Sequence, residues 1–422
     1  MPMPIRALPS CLFLALAAAL LAMTLAWHVP MMLWDHLDLV PLLEALRNGE
    51  RLPSQLLRIY GGHMLTAAYG VLLATTTLSG GQTWLDCLVS WVLLVAAALL
   101  LRSLVRDAFP TSSRRDLAMA ALLVLLALHP GHLANLQWGW QVAVFLCLAG
   151  VIACVHQLTR PQLGWGRLVT ALAAAGLACF GFATAIAILP VALLLVWGRH
   201  DLPPRQRALM TLPWLAACLV AAAGYLGVAA SHGGHDPLAV IHYTLNFLGS
   251  GVARFATDLA PLLALAGLGL VAWLAPGAWR ERGGLPWLAL AVFGLLAGLL
   301  VALGRAEPFG AEQAFVTRYV SFSVLFWLGL AGLLGRRWRD SGAAVPRVAL
   351  AVLATFATAN ALHMVHKARK LGLRTAAIAQ EIRATWPNVD RGLLGEIYFD
   401  QPEIAAERLE RLHAWGYAPF DR

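Results

Sequence analysis

The chain has 422 residues, of which 60% are hydrophobic and only 13% are charged. A water-soluble globular protein of this composition would have too little polar surface to cover its core. The formal net charge of +9 comes mainly from arginines between apolar segments, a placement typical of membrane topology signals, so it does not indicate nucleic-acid binding.

Apolar segments long enough to cross a bilayer recur along the chain and predict an all-α polytopic membrane protein with about eleven transmembrane helices. The first segment is interpreted as a retained span because no small-residue cleavage site follows it. All six cysteines lie inside apolar segments, and their spacing is not that of a metal site or a disulfide framework. The predicted spans are 9–31, 84–104, 116–134, 141–157, 168–181, 184–198, 208–230, 257–278, 287–304, 318–335 and 346–364.

The joints between these spans alternate in arginine content, which predicts a cytoplasmic N-terminus and a periplasmic C-terminus in a bacterial inner membrane. The apolar, threonine-rich stretch 63–79 would break this alternation if it crossed, so we expect a re-entrant or interfacial helix on the outer side. Residues 1–364 then form the multi-span domain, with 33–83 as the first external loop. The basic joints contain Arg102, Arg106, Arg114, Arg115, Arg160, Arg167, Arg199, Arg205, Arg207, Arg280, Arg282, Arg336, Arg337, Arg339 and Arg347.

After the last predicted span the chain becomes rich in charge, and residues 365–422 are expected to form a small helical periplasmic tail. Asp400 and Glu403 have the spacing of a capping box, Pro402 suits a first helical turn, and Gly416 suits a helix end. The tail would offer a surface for a periplasmic acceptor or partner.

The first loop contains a polar cluster directly after the first span. Ionisable groups close to a bilayer are costly, so they indicate function. Asp35 and Asp38 are candidates for a general base, or for holding a divalent cation such as Mg²⁺ or Mn²⁺. The competing interpretation is that Asp38 only caps the short helix that follows. The candidate substrate-binding residues of this loop are His36, Arg58 and His63.

A second cluster lies in the turn between the third and fourth predicted spans. Tryptophans at a membrane surface are usually interface anchors, which accounts for Trp138. Asn135 and Gln141 need hydrogen-bond partners at the same depth, and sugar hydroxyls would provide them. His132 belongs to the same turn.

A third cluster joins the ninth and tenth predicted spans. Arg305 and Arg318 lie on the side where arginine is disfavoured, and a guanidinium there can bind a lipid phosphate or pyrophosphate through two hydrogen bonds. Gln313 and Tyr319 complete the candidate binding residues of this loop. The alternative is that these arginines only extend toward the headgroups.

Four segments, in this order, resemble the GT-C superfamily of membrane glycosyltransferases, and more narrowly a largely uncharacterised bacterial polytopic branch related to it. They are WDHLDLVP in the first loop, ANLQWGWQ after the third span, FGAEQAFVTRY before the tenth, and YFDQPEIAAERLERLHAWGYAPF in the tail. One departure is that Tyr60-Gly61-Gly62-His63 stands where an Asn-Glu-His-Arg-like run would be expected, so that only the histidine is kept.

The resemblance implies a GT-C-like fold and inverting transfer of a sugar from a polyprenyl-phosphate donor to a periplasmic-face acceptor, which would be a cell-envelope glycan, lipid or protein. Asp35 or Asp38 would act on the acceptor hydroxyl, while Arg305 or Arg318 would stabilise the departing lipid phosphate. Two alternatives stay open. One is a transporter or lipid-linked-glycan flippase, for which Asp86 is the main ionisable candidate. The other is a noncatalytic scaffold whose tail binds a partner.

Overall fold

The computed structural model describes residues 8–50, 56–57, 59–60, 63–110, 113–229 and 236–420. This part of the chain is mainly α-helical, with one antiparallel pair of two-residue strands, β1 (Ile59–Tyr60) and β2 (His63–Met64). The helices are α1 (Leu8–Ala26), α2 (Val40–Arg47), α3 (Thr66–Ser79), α4 (Trp84–Ala108), α5 (Arg114–Ala127), α6 (Leu133–Leu136), α7 (Val142–Thr159), α8 (Trp165–Cys179), α9 (Ile188–Trp197), α10 (Pro204–Ala229), α11 (Pro237–Ala253), α12 (Ala260–Arg280), α13 (Leu285–Phe309), α14 (Thr317–Ser341), α15 (Ala344–Thr385), α16 (Arg391–Ile397) and α17 (Pro402–Trp415).

In the described residues, nine helical segments are long and apolar enough to cross a membrane, which indicates a multi-pass membrane protein. Each overlaps one of the predicted spans. The other two predicted spans, 168–181 and 184–198, correspond to shorter apolar helices, Trp165–Cys179 and Ala183–Trp197. A helix of 15 residues is about 22 Å long, less than the hydrocarbon thickness of about 30 Å.

The arginine-rich joints meet at one end of the helix bundle. Arg102 donates to Ser10 at the start of α1, Arg160 pairs with Asp107 at the end of α4, and Arg339 donates to the carbonyl of Ala108. The opposite end carries the first loop and residues 391–420. We refer to these two ends as the arginine side and the tail side.

Helix α3 stays on the tail side. Tyr69 in its first turns lies within electrostatic range of Asp35 and Asp38, and its last turn leads to Gly81. Gly81 has a φ of +87°, and an added Cβ would lie 2.2 Å from the ring of Tyr417 in the tail. Both ends of α3 therefore lie near tail-side residues, and its interfacial position stays a prediction.

Helix α11 was not among the predicted elements. Its 17 residues pack against α12, α13, α14 and α15, and Tyr243 and Phe247 on it are fully buried. Asn246 on the same helix donates to the carbonyl of Ala311. The segment was missed because it is shorter than a span and interrupts its apolar residues with polar ones.

The tail begins as a continuation of the last membrane helix. Helix α15 runs unbroken for 42 residues, through the expected boundary at 364. Helix α17 begins at Pro402 and is ended by Gly416 in the left-handed conformation. The expected capping box is wrong, because Gln401 is the N-cap, makes no side-chain cap hydrogen bond, and follows Asp400 at a φ of +57°.

Candidate functional site

The first loop leaves α1 and forms a short 3-10 helix, Trp34–Leu39, that presents Asp35. Trp34 has a φ of +53°, a conformation that costs a bulky L-residue free energy and persists only where the surroundings enforce it. Its indole N–H donates to the carbonyl of Glu396 in the tail at 3.1 Å, and its ring meets Trp138 edge-on at 5.2 Å. The backbone next to Asp35 is therefore held from two sides.

Asp35 faces Arg318, the second residue of α14. The Asp35 Oδ2 and Arg318 Nη1 atoms are 3.8 Å apart, and the two side chains are 18% and 28% exposed. Burial raises the pKa of Asp35 above its usual value; the nearby Arg318 and, more weakly, Arg305 oppose the rise, whereas Asp38 adds to it. A carboxylate with a raised pKa is better suited to accept a proton at neutral pH.

Asp38 has a different environment from Asp35. Its Oδ1 accepts hydrogen bonds from the Tyr398 hydroxyl at 2.7 Å and from Arg408 at 2.5 Å, both in the tail, and the side chain is 7% exposed. The helix-cap interpretation is wrong, because α2 has Leu39 as its N-cap and no side-chain cap hydrogen bond. Asp38 joins the loop to the tail.

His36 is fully buried beneath the loop and points away from solvent. Its Nε2 lies 3.8 Å from Oδ2 of Asp86, whose other carboxylate oxygen, Oδ1, accepts a hydrogen bond from the Thr75 hydroxyl. Burial lowers the pKa of His36 to about 3, so it is neutral at physiological pH. Gly139 packs directly against His36 and Asp86, because an added Cβ at this position would lie 2.8 Å from the Cβ of Asp86.

The second cluster supports the start of α14. His132 Nδ1 lies 2.9 Å from the Ser321 hydroxyl, and Asn135 donates to the same hydroxyl at 2.8 Å and to the carbonyl of Thr317 at 3.2 Å. Thr317 and Ser321 lie on either side of Arg318 in the sequence, so these hydrogen bonds hold the helical turn that carries Arg318. Gln141 is buried at the start of α7.

Trp138 is buried against Trp34 rather than exposed as an interface anchor. Its neighbour Trp140 packs with His36 at 6.2 Å and with Tyr69 at 5.7 Å between ring centroids. The aromatic residues of this turn therefore form the floor under the 3-10 helix.

The third cluster is backed by α11. Gln313 accepts a hydrogen bond from the Tyr243 hydroxyl, and Tyr319 packs on Phe247 at 5.5 Å. Arg305 lies near the end of α13 with its guanidinium 5.2 Å from the Phe309 ring centroid, within electrostatic range of Asp35.

Contacts connect the three predicted clusters pairwise. Asp35 and Arg318 join the first to the third, Trp34 and Trp138 join the first to the second, and Asn135 joins the second to the third through α14. Two predicted residues cannot be placed. Arg58 and the side chain of His63 lie outside the described residues.

Sequence reasoning missed three residues of this region: Tyr69, Tyr398 and Arg408. Burial, followed by the charges of Asp38 and Asp35, raises the pKa of the Tyr69 hydroxyl. The Arg408 guanidinium lies over the Tyr398 ring at 4.2 Å. Tyr69 carried no signal beyond its place in the interfacial helix, whereas Arg408 belongs to the tail segment already singled out.

The paired aspartates do not fit a divalent-cation site. Asp38 is engaged by the guanidinium of Arg408, which supplies the positive charge there. Within the described part of the chain, no group of three or more His, Cys, Asp or Glu side chains could hold a metal ion.

Comparison of the chain with protein-family models, with curated proteins and with solved structures finds no match.

Proposed function

We propose that this chain is a GT-C-type glycosyltransferase that moves a sugar from a polyprenyl-phosphate donor to an acceptor at the tail side, with inversion at the anomeric carbon. The observation that carries the proposal is the pairing of Asp35 with Arg318 at 3.8 Å, where a shielded carboxylate meets a cation beside the bilayer. The gathering of arginines at the other end supports a periplasmic tail side in a bacterial inner membrane.

In this mechanism the Asp35 carboxylate accepts the proton of the acceptor hydroxyl, and the hydroxyl oxygen forms a bond to the anomeric carbon. The bond between that carbon and the phosphate oxygen breaks, and its electron pair leaves with the lipid phosphate. Arg318 stabilises the added negative charge through its fork of N–H groups, and Arg305 contributes at longer range.

The donor sugar has to separate the Asp35 and Arg318 side chains, because 3.8 Å between their polar atoms leaves no room for a ring. The charges of Asp35 and Arg318 neutralise each other across this contact. Donor binding would replace this contact by a phosphate on Arg318 and an acceptor hydroxyl on Asp35.

One observation favours a second candidate function, a transporter or flippase. His36 and Asp86 form a buried ionisable pair, and both histidine nitrogens and Oδ2 of Asp86 have no hydrogen-bond partner within the described residues. Ionisable groups of this kind mark proton or ion paths in membrane proteins. In that function Asp86→Asn would abolish movement of a lipid-linked sugar across the bilayer, and Asp35→Asn would have a smaller effect.

The test of the proposed function is transfer of labelled sugar in membranes that contain the wild-type chain. The donors are polyprenyl-phosphate sugars, with the corresponding nucleotide sugars as controls. We expect product only from the lipid-linked donors and with inverted anomeric configuration. Flipping of the donor without any new glycosidic bond would favour the transporter, and neither activity with any donor would favour the noncatalytic scaffold.

A further inference from the structure

A cluster of basic side chains, Arg254, His363 and Lys367, lies where α11 ends against α15. The backbone N–H of Arg254, just after α11, donates to Oδ1 of Asn360 at 3.0 Å, and Asn360 Nδ2 donates to the carbonyl of Gly251 at 2.9 Å. His363 and Lys367 follow Asn360 by three and seven residues, so they lie on one side of α15. Neither Arg254 nor Lys367 contributes to the electrostatic environment of Asp35.

Two side chains of this cluster, Arg254 and His363, have buried nitrogen atoms without hydrogen-bond partners. Nη1 of Arg254 and Nε2 of His363 are buried and make no hydrogen bond within the described residues, and no ion pair in that part of the chain involves Arg254 or Lys367. Arg254 lies within electrostatic range of both His363 and Lys367. Burial lowers the pKa of Arg254 to about 10, which leaves it charged at neutral pH. Like charges held together in a partly dry place need a counter-ion.

The surroundings of the cluster are apolar and exposed. Phe255 is 40% exposed and packs with Phe356 at 5.9 Å, and Leu362 is 70% exposed. His129, just after α5, lies 2.8 Å through Nε2 from the carbonyl of Ala357 on α15, and Trp27, just after α1, packs against Gly372 on the same helix. The cluster lies between these two positions and therefore at the tail-side end of the membrane helices. A lipid would use both features, the phosphate against the cations and the acyl chains against the apolar border. Free phosphate would use only the first.

We infer that Arg254, His363 and Lys367 form a binding site for the phosphate group of an anionic lipid in the tail-side leaflet. Arg254 Nη1 and His363 Nε2–H donate to phosphate oxygens, and Lys367 adds charge at the more exposed edge. The site is separate from the Asp35–Arg318 pair and does not depend on the proposed transfer reaction.

The experiment titrates the detergent-purified full chain with phosphatidylglycerol, and in parallel with phosphatidylcholine and with inorganic phosphate, following bound lipid by native mass spectrometry and thermal midpoint. The test variant is Arg254→Gln with Lys367→Gln. The matched control is Arg347→Gln with Arg369→Gln, which also removes two positive charges, from exposed positions of α15. We expect phosphatidylglycerol affinity to fall roughly 10-fold or more in the test variant and by less than about 2-fold in the control.

Saturable phosphatidylglycerol binding that the test variant loses and the control retains supports the site. Equal affinity for inorganic phosphate would overturn the lipid assignment, and equal phosphatidylglycerol binding by wild type and test variant would overturn the site itself. If Arg254→Gln prevents folding, His363→Gln with Lys367→Gln replaces it. Both residues lie on α15 away from the backbone bonds of Asn360, and the same outcomes apply.

Discussion

Asp38 and Arg408 form a partly buried ion pair at 2.5 Å, although they lie 370 positions apart in the sequence. The tail makes two further contacts with this region. The Tyr398 hydroxyl donates a hydrogen bond to Asp38, and Arg411 forms an ion pair with Glu44 at 2.6 Å. Because Asp38 lies three residues after Asp35 in the same 3-10 helix, this contact fixes the loop that carries the proposed base.

Removal of Arg408 should therefore destabilise the docking of the tail. Arg408→Ala leaves the Asp38 carboxylate, which is 7% exposed, without its cation, and removing one partner of a buried pair costs up to about 3–5 kcal/mol. The measurement is the rate of limited proteolysis within residues 386–420, together with the thermal midpoint. Arg391→Ala is the matched control, because Arg391 and Glu403 are exposed at 77% and 68% and such pairs contribute at most about 1 kcal/mol. Equal protease sensitivity of the two variants would show that the ion pair does not hold the tail.

Glycine at position 139 should be required for packing under the loop. A Cβ at this position would lie 2.8 Å from the Cβ of Asp86 and 3.0 Å from the ring of His36, so Gly139→Ala should destabilise the protein by about 1–3 kcal/mol. Gly176→Ala, within α8 and with nothing within 4 Å of the added Cβ, should be neutral or slightly stabilising. Thermal unfolding in detergent measures both, and an unchanged midpoint for Gly139→Ala would contradict this geometry.

The membrane fold could be predicted from the sequence because apolar length and arginine alternation are local properties. The third span, for example, begins with Arg114, Arg115 and Asp116, and the apolar run 117–128 follows them. Helix α11 could not be predicted, because its 17 residues depend on tertiary partners such as Ala311 for Asn246. The three candidate clusters were predicted from polar residues beside the bilayer, and the structure brings them into contact with one another. The role of Asp38 could not be predicted, because only the folded tail brings its partner Arg408 next to it.

Transfer should show an acid limb that follows the ionisation of Asp35. Only the carboxylate form accepts a proton, so activity should fall as the pH decreases through the pKa of Asp35. Burial raises that pKa, so the limb should lie above the value of about 4 for an ordinary aspartate.

Arg318→Gln removes the main charge that opposes this rise, and the limb should therefore move to still higher pH. Arg280→Gln, which removes the same charge on the arginine side, should leave the limb where it is in the wild type. If the acid limb of Arg318→Gln lies at the same pH as that of the wild type, the limb does not report the ionisation of Asp35.

Orientation is testable with reporter fusions. A reporter after Arg422 that is active only in the periplasm should be active, and the same reporter after Arg207 should be silent, because the basic joints remain cytoplasmic. The reverse pattern would move the Asp35 site to the cytoplasmic face and exclude a periplasmic acceptor.

The most direct test of the central claim is sugar transfer by Asp35→Asn in membranes with matched protein abundance. Asparagine keeps the size and hydrogen-bonding capacity of the side chain but removes its basicity, and loss of a positioned general base typically lowers the rate ~100-fold to ~10,000-fold. Asp258→Asn, an exposed aspartate between α11 and α12, is the control and should transfer at the wild-type rate. We expect transfer to be lost in Asp35→Asn alone. Wild-type transfer by Asp35→Asn would contradict the proposed mechanism.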